Sequence, residues 1–214
     1  MRIGVFDSGI GGEAVAESLR HDFPAAEVIT VSDREHVPYG DRDPGEIIHL
    51  ADAAIQPLLS SDCDVIVVAC NTVTAVAIET LRTKYPNQKF IGLEPMVKPA
   101  STLSKTGIIA VCATPATLAS KRYTQSKQLY ASGLTVVEPD CSNWARLIES
   151  NELNRSHIDT VVEECLAANA DVIILGCTHY HWIKEEIEEA LAGHAVLVEP
   201  SEAISRRVKE LLSL

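Results

Sequence analysis

The sequence predicts an α/β protein made of two pseudo-symmetric halves, each a parallel sheet with helices on both faces. Short apolar runs alternate along the chain with segments of helical period. An apolar run ending in cysteine occurs twice, at 64–70 and 171–177, with the copies 107 positions apart in a chain of 214 residues. If duplicated halves close on one another, equivalent strand ends face each other, so we expect the functional site in the cleft between them.

Eight apolar runs have the length of buried strands and are bounded by polar or turn residues. They are 2–6, 27–32, 64–69, 89–93, 107–112, 134–138, 171–175 and 195–198. Helical spacing of apolar residues between these runs predicts helices over 45–60, 73–84, 157–168 and 180–192, and another that begins at 200–201. Ser156 is the expected N-cap of the helix over 157–168.

A domain boundary is predicted in the stretch 95–101, where Pro95 and Pro99 disfavour a helix. We expect the terminal segment to return to the first half. The first domain is therefore predicted to comprise 1–97 together with 196–214, and the second to comprise 98–195.

Composition excludes several functional classes. The net charge is −12 and there is no basic run, which argues against a nucleic-acid-binding surface. No apolar run is long enough to span a membrane, and the first strand begins at residue 2, leaving no room for a signal peptide. The six cysteines form no C-x-x-C pair. We therefore expect a cytoplasmic protein with reduced thiols that binds neither membranes nor nucleic acids.

Cys70 and Cys177 occupy matched positions in the repeat, between a strand and a predicted helix. A thiol at a helix start is favoured as thiolate, with a pKa lowered from about 8.5 to roughly 3.5–7.5. Either cysteine alone could be an inert packing residue. Together they could remove a proton from one face of a carbon and return one to the other face. We expect the remaining cysteines to be packing residues: Cys63, Cys112, Cys141 and Cys165.

Other polar residues lie at the same strand ends. Asp7 and Ser8 open a glycine-rich turn beside the Cys70 strand, where Asp7 could accept or orient a proton or could simply cap a helix. His179, two residues past Cys177, could act similarly opposite, although a single histidine is often structural. Glu149 ends a short helical segment, and spacing alone favours a solvated position for it.

A set of neutral side chains could donate to a carboxylate and accept from an ammonium group. Each is also a plausible N-cap. The set is Asn71, Thr72, Thr114, Thr117 and Thr178. Pro38-Tyr39-Gly40 marks a tight turn after the second strand, which could equally be an exposed turn.

Cofactor sites are less favoured. Gly9-x-Gly11-x-x-Ala14 followed by Asp33 matches a dinucleotide fingerprint, but this interpretation leaves the paired cysteines unexplained. Cys177-x-His179-x-His181 could suggest zinc, but residues two apart at a helix start rarely converge. No lysine stands where pyridoxal phosphate could be anchored. We predict no metal and no cofactor.

The sequence resembles the cofactor-independent glutamate racemases, within the wider aspartate/glutamate racemase family. The resemblance extends over essentially the whole chain in order. It is carried by IGVFDSGIGG (3–12), VPYGDR (37–42), ACNTVTA (69–75), ATPATLAS (113–120) and LGCTHY (175–180). The family usually has proline where His181 stands, and its typical members are several tens of residues longer.

The resemblance implies that Cys177 is the acid/base acting on L-glutamate and Cys70 the one acting on D-glutamate. Asp7, His179 and Glu149 would assist them. Substrate contacts would fall on Asp7, Ser8, Pro38, Tyr39, Gly40, Asn71, Thr72, Thr114, Thr117 and Thr178. It also implies a homodimer that supplies D-glutamate for peptidoglycan synthesis.

Three other functions stay open. The chain could racemise aspartate or another amino acid, or be another enzyme of the same superfamily. It could be a nucleotide-binding dehydrogenase, which would bind NAD through Gly9 and Gly11. It could also be a non-catalytic sensor, which would bind glutamate without exchanging its α-hydrogen.

Overall fold

Two parallel sheets of four strands have the same strand order, in a computed structural model that describes residues 1–213. The first sheet is ordered β2-β1-β3-β4 and the second β6-β5-β7-β8, so each strand occupies the place of its counterpart in the other half. The strands are β1 Arg2–Asp7, β2 Glu27–Ser32, β3 Val65–Val68, β4 Phe90–Gly92, β5 Ile108–Ala113, β6 Thr135–Val137, β7 Val172–Gly176 and β8 Val196–Val198. All eight predicted strands are confirmed, to within one residue at either end, and so is the fold class.

Helices cover both faces of each sheet. They are α1 Gly12–Asp22, α2 Pro44–Ala54, α3 Gln56–Ser60, α4 Asn71–Lys84, α5 Val97–Leu103, α6 Pro115–Leu118, α7 Lys121–Tyr130, α8 Trp144–Glu149, α9 Arg155–Ala167, α10 Lys184–Leu191 and α11 Ser201–Leu212, with a 3-10 helix at Thr178–Ile183. The central strands β3 and β7 are buried along their whole length, which explains why their sequences are continuous apolar runs. Each sheet therefore contributes to two apolar clusters, one on each face.

Four helix predictions need correction. The stretch 95–101 was expected to disfavour a helix, but α5 begins at Val97, and Pro99 lies in its first turn, where the missing N–H breaks no helical hydrogen bond. The helix expected over 45–60 is divided in two before Pro57, which lacks the N–H that a continuous helix needs. The N-cap before α9 is Asn154 rather than Ser156, because Asn154 and His157 exchange side-chain to backbone hydrogen bonds in a capping box. The segment after Cys177 begins as a 3-10 helix, whose three-residue period turns Tyr180 and Ile183 together into the core.

The end of the chain also differs from expectation. β8 pairs with β7, so 196–198 belongs to the second sheet, and placing it with the first half was wrong. The helix that follows does pack on the first half, where Ile204 and Val208 join the cluster beneath β1 and β3. We propose that the chain crosses back to the first half at 199–200, so that this connection and the one at 93–96 join the halves.

Candidate active site

Cys70 lies at the C-terminal end of β3 as the N-cap residue of α4, and its side chain is buried. The Ser8 hydroxyl is 3.2 Å from Cys70 Sγ. Burial and then the charge of Asp7 raise the pKa of Cys70 to about 12, against the opposing effect of the Ser8 hydroxyl and the Val73 N–H. The expectation that the helix start would lower this pKa is wrong, because desolvation outweighs the few donors present. Cys70 is therefore a thiol at neutral pH in this structure.

Cys177 follows β7 and has different partners. Its sulfur lies 3.7 Å from Nδ1 of His179, and Nε2 of His179 lies 2.7 Å from Oε1 of Glu149. Burial disfavours a charged His179, but the contacts with Cys177 and Glu149 outweigh it and raise the pKa of His179 to about 10. The hydrogen bond with His179 lowers the pKa of Glu149. The three side chains form a relay in which a buried imidazolium sits between sulfur and carboxylate.

Asp7 and Ser8, consecutive residues at the end of β1, contact both sides of the cleft. Ser8 contacts Cys70, while Asp7 Oδ1 accepts a hydrogen bond of 2.9 Å from the hydroxyl of Thr178, next to Cys177. The Gly9 N–H donates to the other oxygen of Asp7 at 2.8 Å. Burial raises the pKa of Asp7, and the charge of His179 and these hydrogen bonds oppose the rise.

A short chain of contacts links the two cysteines. Ser8 contacts Cys70, and its chain neighbour Asp7 accepts a hydrogen bond from Thr178, which follows Cys177. Both cysteines are buried, at 5% and 6% exposed, respectively. They follow β3 and β7, which hold the same place in their two sheets, and a cleft between them stays a prediction.

Glu149 is the residue whose position sequence spacing did not predict. It ends α8 and reaches the first half, where its Oε1 accepts a hydrogen bond of 2.9 Å from the Ile10 N–H. Its side chain is 13% exposed, so the solvated position favoured by spacing is wrong. No periodicity in the sequence signals this contact, because it depends on how the two halves close.

The glycine turn packs tightly against the second half. A Cβ on Gly9 would come within 2.2 Å of Glu149 Oε1 and 2.6 Å of His179 Nε2. A Cβ on Gly11 would come within 2.6 Å of the Thr178 backbone. Glycine at these positions permits the close approach of the two halves. Glu149, His179 and Thr178 occupy the space beside the turn in which a dinucleotide pyrophosphate would bind.

The neutral side chains assemble on the side of the cleft nearer Cys70. The hydroxyl of Thr114 lies 2.9 Å from that of Thr72 and donates to that of Thr117 at 3.0 Å. Asn71 is buried, and its Nδ2 has no hydrogen-bond partner in the described residues. A buried, unpaired amide donor is rare in proteins, and this one adjoins a cluster of hydroxyls. Three members of the predicted set, Thr72, Thr114 and Thr117, are therefore in contact, whereas Thr178 hydrogen-bonds Asp7.

The 38–40 turn closes over the threonines. Gly40 is buried, and its carbonyl accepts a hydrogen bond of 3.2 Å from the Ala116 N–H of the second half. Pro38 is part-buried, and the Tyr39 hydroxyl donates to Asp33 at 2.6 Å. Burial and this bond raise the pKa of Tyr39. Sequence reasoning considered Asp33 only as a ribose ligand and missed its role in anchoring this turn.

Residues 1–213 contain neither a metal-binding cluster nor a membrane-spanning helix. No group of three or more His, Cys, Asp or Glu side chains in that range is arranged to hold a metal ion. No helix in the same range combines the length and apolar character needed to cross a bilayer.

The family model for Asp/Glu/Hydantoin racemase matches residues 12–207. A glutamate racemase from Herpetosiphon aurantiacus is 37% identical over 99% of this chain and 84% of its own length. One from Pseudomonas syringae pv. tomato is 36% identical over 99% of this chain and 78% of its own. A crystal structure of Escherichia coli glutamate racemase, in complex with L-glutamate and the activator UDP-MurNAc-Ala, superposes with a TM-score of 0.90 at 27% identity, covering 99% of this chain and 82% of that one.

Proposed function

Because the chain belongs to the Asp/Glu/Hydantoin racemase family, we propose that it interconverts L-glutamate and D-glutamate by moving protons between two cysteines and the α-carbon. The observation that carries the proposal is that Cys70 and Cys177 follow the equivalent strands β3 and β7, are both buried, and are linked through Ser8, Asp7 and Thr178. Each sulfur has its own polar partners, Ser8 on one side and His179 on the other. This asymmetry suits one sulfur that accepts a proton while the other donates one.

The reaction needs two proton transfers. Cys177, beside the imidazolium of His179, takes the α-proton of L-glutamate, so a C–H bond breaks and an S–H bond forms. Cys70 then gives its proton to the opposite face of the same carbon, consistent with a pKa of about 12 that keeps it a thiol until that moment. The reverse direction uses the sulfurs in exchanged roles. Nothing is oxidised or reduced.

The substrate is held by neutral donors. We assign its α-carboxylate to the cluster of Asn71 with Thr72, Thr114 and Thr117, where the unpaired Nδ2 of Asn71 gains a partner. Preorganised donors of this kind stabilise the charge that spreads onto the carboxylate as the α-carbanion forms. Ser8, Thr178 and the 38–40 turn complete the walls of the cleft, and exclusion of water strengthens all these interactions.

Asp7 and Glu149 act through their neighbours. Glu149 keeps His179 protonated and oriented beside Cys177. Asp7 fixes the glycine turn and Thr178 relative to one another and places a negative charge near the substrate ammonium group. We further propose a cytoplasmic homodimer that needs no cofactor and supplies D-glutamate for peptidoglycan synthesis, as the family resemblance implies.

Incubation of the protein with L-glutamate in D2O, without added cofactor, tests the proposal. Polarimetry should show loss of optical activity, and proton NMR should show that deuterium enters the D-glutamate product before the remaining L-glutamate. That order is expected because each face of the α-carbon is served by its own sulfur. A dehydrogenase would show no exchange without a nicotinamide, and a sensor would bind glutamate without exchange. A parallel reaction with aspartate distinguishes the substrates.

The cysteine variants test the mechanism itself. Cys70→Ser and Cys177→Ser should each lower kcat by at least about 10²- to 10⁴-fold, the usual contribution of a general acid or base. Cys63→Ser is the matched control, because Cys63 is equally buried but lies before the opposite end of β3. Circular dichroism should show the same fold in all three variants. Near-normal turnover in either site variant would contradict the two-cysteine mechanism.

A further inference from the structure

His181 is a buried histidine that the mechanism does not use. Its side chain is 9% exposed, and its Nε2 has no hydrogen-bond partner in residues 1–213. Its Nδ1 lies 3.7 Å from Oε2 of Glu199, which is longer than a hydrogen bond. Neither ring nitrogen of His181 therefore makes a hydrogen bond within the described residues, which is uncommon for a buried imidazole.

The position of His181 links the site to the connection between the halves. It belongs to the 3-10 helix Thr178–Ile183, which also carries Thr178 and His179. Glu199 stands between β8 of the second sheet and α11, which packs on the first half. Its Oε2 accepts hydrogen bonds from the N–H and the hydroxyl of Ser201, so Glu199 is fixed to the first turn of α11. Glu199 therefore lies 3.7 Å from His181 at the point where the chain leaves the second sheet for the first half.

We propose that His181 is a positioning residue whose Nδ1–H donates to Glu199 when glutamate draws the two halves together. The inference rests on the proposed function. Shortening the contact from 3.7 Å to about 2.9 Å requires a movement of less than about 1 Å at the junction. The new bond fixes the end of the 3-10 helix and thereby holds Thr178 and His179 against the substrate.

The surrounding charges predict a measurable signature. Three charged groups face His181: Glu199 from the β8–α11 connection, Lys184 from α10 and Asp7 from β1. Burial, helped by Lys184, lowers the pKa of His181, while Glu199 and Asp7 oppose that shift. Closure strengthens the contact with Glu199, so glutamate binding should raise this pKa and be accompanied by proton uptake.

The experiment is an NMR titration of the histidine side chains with and without glutamate. His181 is assigned from the spectrum of His181→Asn, and the exposed His21 serves as an internal control. Saturating glutamate should raise the pKa of His181 by about one unit and leave that of His21 unchanged. By linkage, glutamate should bind up to about 10-fold more tightly as pH falls through that range.

Two variants separate positioning from simple packing. His181→Asn keeps an N–H near the Nδ1 position but cannot titrate in this range, so it should retain near-normal KM and lose its pH dependence. Glu199→Gln still accepts from Ser201 but lacks the charge, so the pKa of His181 should no longer rise with glutamate. If the wild-type protein racemises glutamate and the pKa of His181 does not move, the inference is overturned. If the wild-type protein does not racemise glutamate, the proposed function itself is wrong, and the inference about His181 is wrong with it.

Discussion

Thr178 and Asp7 hydrogen-bond each other across the cleft, with the hydroxyl of Thr178 donating to Asp7 Oδ1 at 2.9 Å. Asp7 ends β1 in the first half, and Thr178 begins the 3-10 helix in the second. Their chain neighbours are Ser8, which contacts Cys70, and Cys177. This bond therefore links the two halves beside both cysteines, together with the other contacts between the halves at Glu149, Thr114 and Gly40.

Thr178→Val tests that bond, because valine keeps the shape of threonine without its hydroxyl. The hydrogen bond opposes the burial that raises the pKa of Asp7, so its loss should raise that pKa further. If ionised Asp7 is required, the acidic limb of the kcat/KM profile should move to higher pH by about one unit. Thr83→Val, on the exposed surface of α4, is the control. If the acidic limb of the Thr178→Val profile stays at the wild-type pH, ionised Asp7 is not required for catalysis.

Glu149→Gln should weaken the relay on the Cys177 side. Removing the carboxylate charge lowers the pKa of His179 from about 10, so less imidazolium stands beside Cys177 during proton transfer. We expect kcat/KM to fall by up to about 100-fold, as for a displaced catalytic partner. The enantiomers have equal free energies, so the loss must be equal in the two directions. Initial rates from L- and D-glutamate and NMR titration of His179 check both points, and an unchanged His179 would exclude this role for Glu149.

Asn71→Ala should weaken substrate binding without destabilising the fold. Nδ2 of Asn71 has no partner in this structure, so truncation removes an unfavourable buried donor from the free protein. With substrate bound, it removes a hydrogen bond to a charged group, about 1.5–3 kcal/mol, or roughly 10- to 150-fold in KM. Asn87→Ala, at an exposed turn, should change neither KM nor Tm. A large fall in Tm with an unchanged KM would show that Asn71 is a structural residue instead.

The strands and the paired cysteines could be predicted from sequence because they are local properties. Val65–Val68 and Val172–Gly176 are continuous apolar runs, and the cysteine after each is visible at a fixed offset. The pKa of Cys70 could not be predicted in the same way. A helix start favours thiolate, but the burial that overrides it depends on how closely the second half covers the sulfur.

Contacts between the halves were the least predictable part of the site. Sequence spacing predicted a solvated position for Glu149, but in the folded structure Glu149 contacts Ile10 of the first half and His179 of the second. β8 was misplaced because a three-residue strand carries no signal for which sheet it joins, and its pairing with β7 is decided by tertiary packing.

Gly9→Ala should disrupt the relay by steric conflict. The added Cβ would lie 2.2 Å from Glu149 Oε1 and 2.6 Å from His179 Nε2, so the carboxylate and the imidazole must both move. A displacement of about 1 Å in catalytic groups costs up to about 100-fold in rate. Gly45→Ala is the matched control, because nothing lies within 4 Å of its Cβ and it is in α2. Normal activity in Gly9→Ala would show that the relay tolerates displacement.

Asp171→Asn tests how the repeat is anchored at the other end of β7, away from the site. Asp171 Oδ1 accepts from the Ser104 hydroxyl at 2.6 Å, and Oδ2 accepts from the N–H groups of Lys105 and Thr106 at 2.6 Å and 3.0 Å. Burial alone would raise the pKa of Asp171, but these hydrogen bonds lower it from 3.8 to about 2. Because the folded pKa is depressed, the stabilisation is present above pH 4 and is lost as the pH falls through about 2.

At pH 7 we therefore expect Asp171→Asn to lose about 1–2 kcal/mol of unfolding free energy, after allowance for solvent screening of a partly exposed carboxylate. That loss corresponds to a Tm lower by about 2–8 °C for a chain of this size. The difference from wild type should shrink steadily as the pH is lowered from 4 towards 2, because the wild-type carboxylate then takes up its own proton. Asp159→Asn, in an exposed pair with Arg155, should shift Tm by much less. Thermal melts from pH 4 to pH 2 test this prediction. A Tm difference that is constant with pH would show that the ionised carboxylate of Asp171 is not what stabilises the segment 104–106.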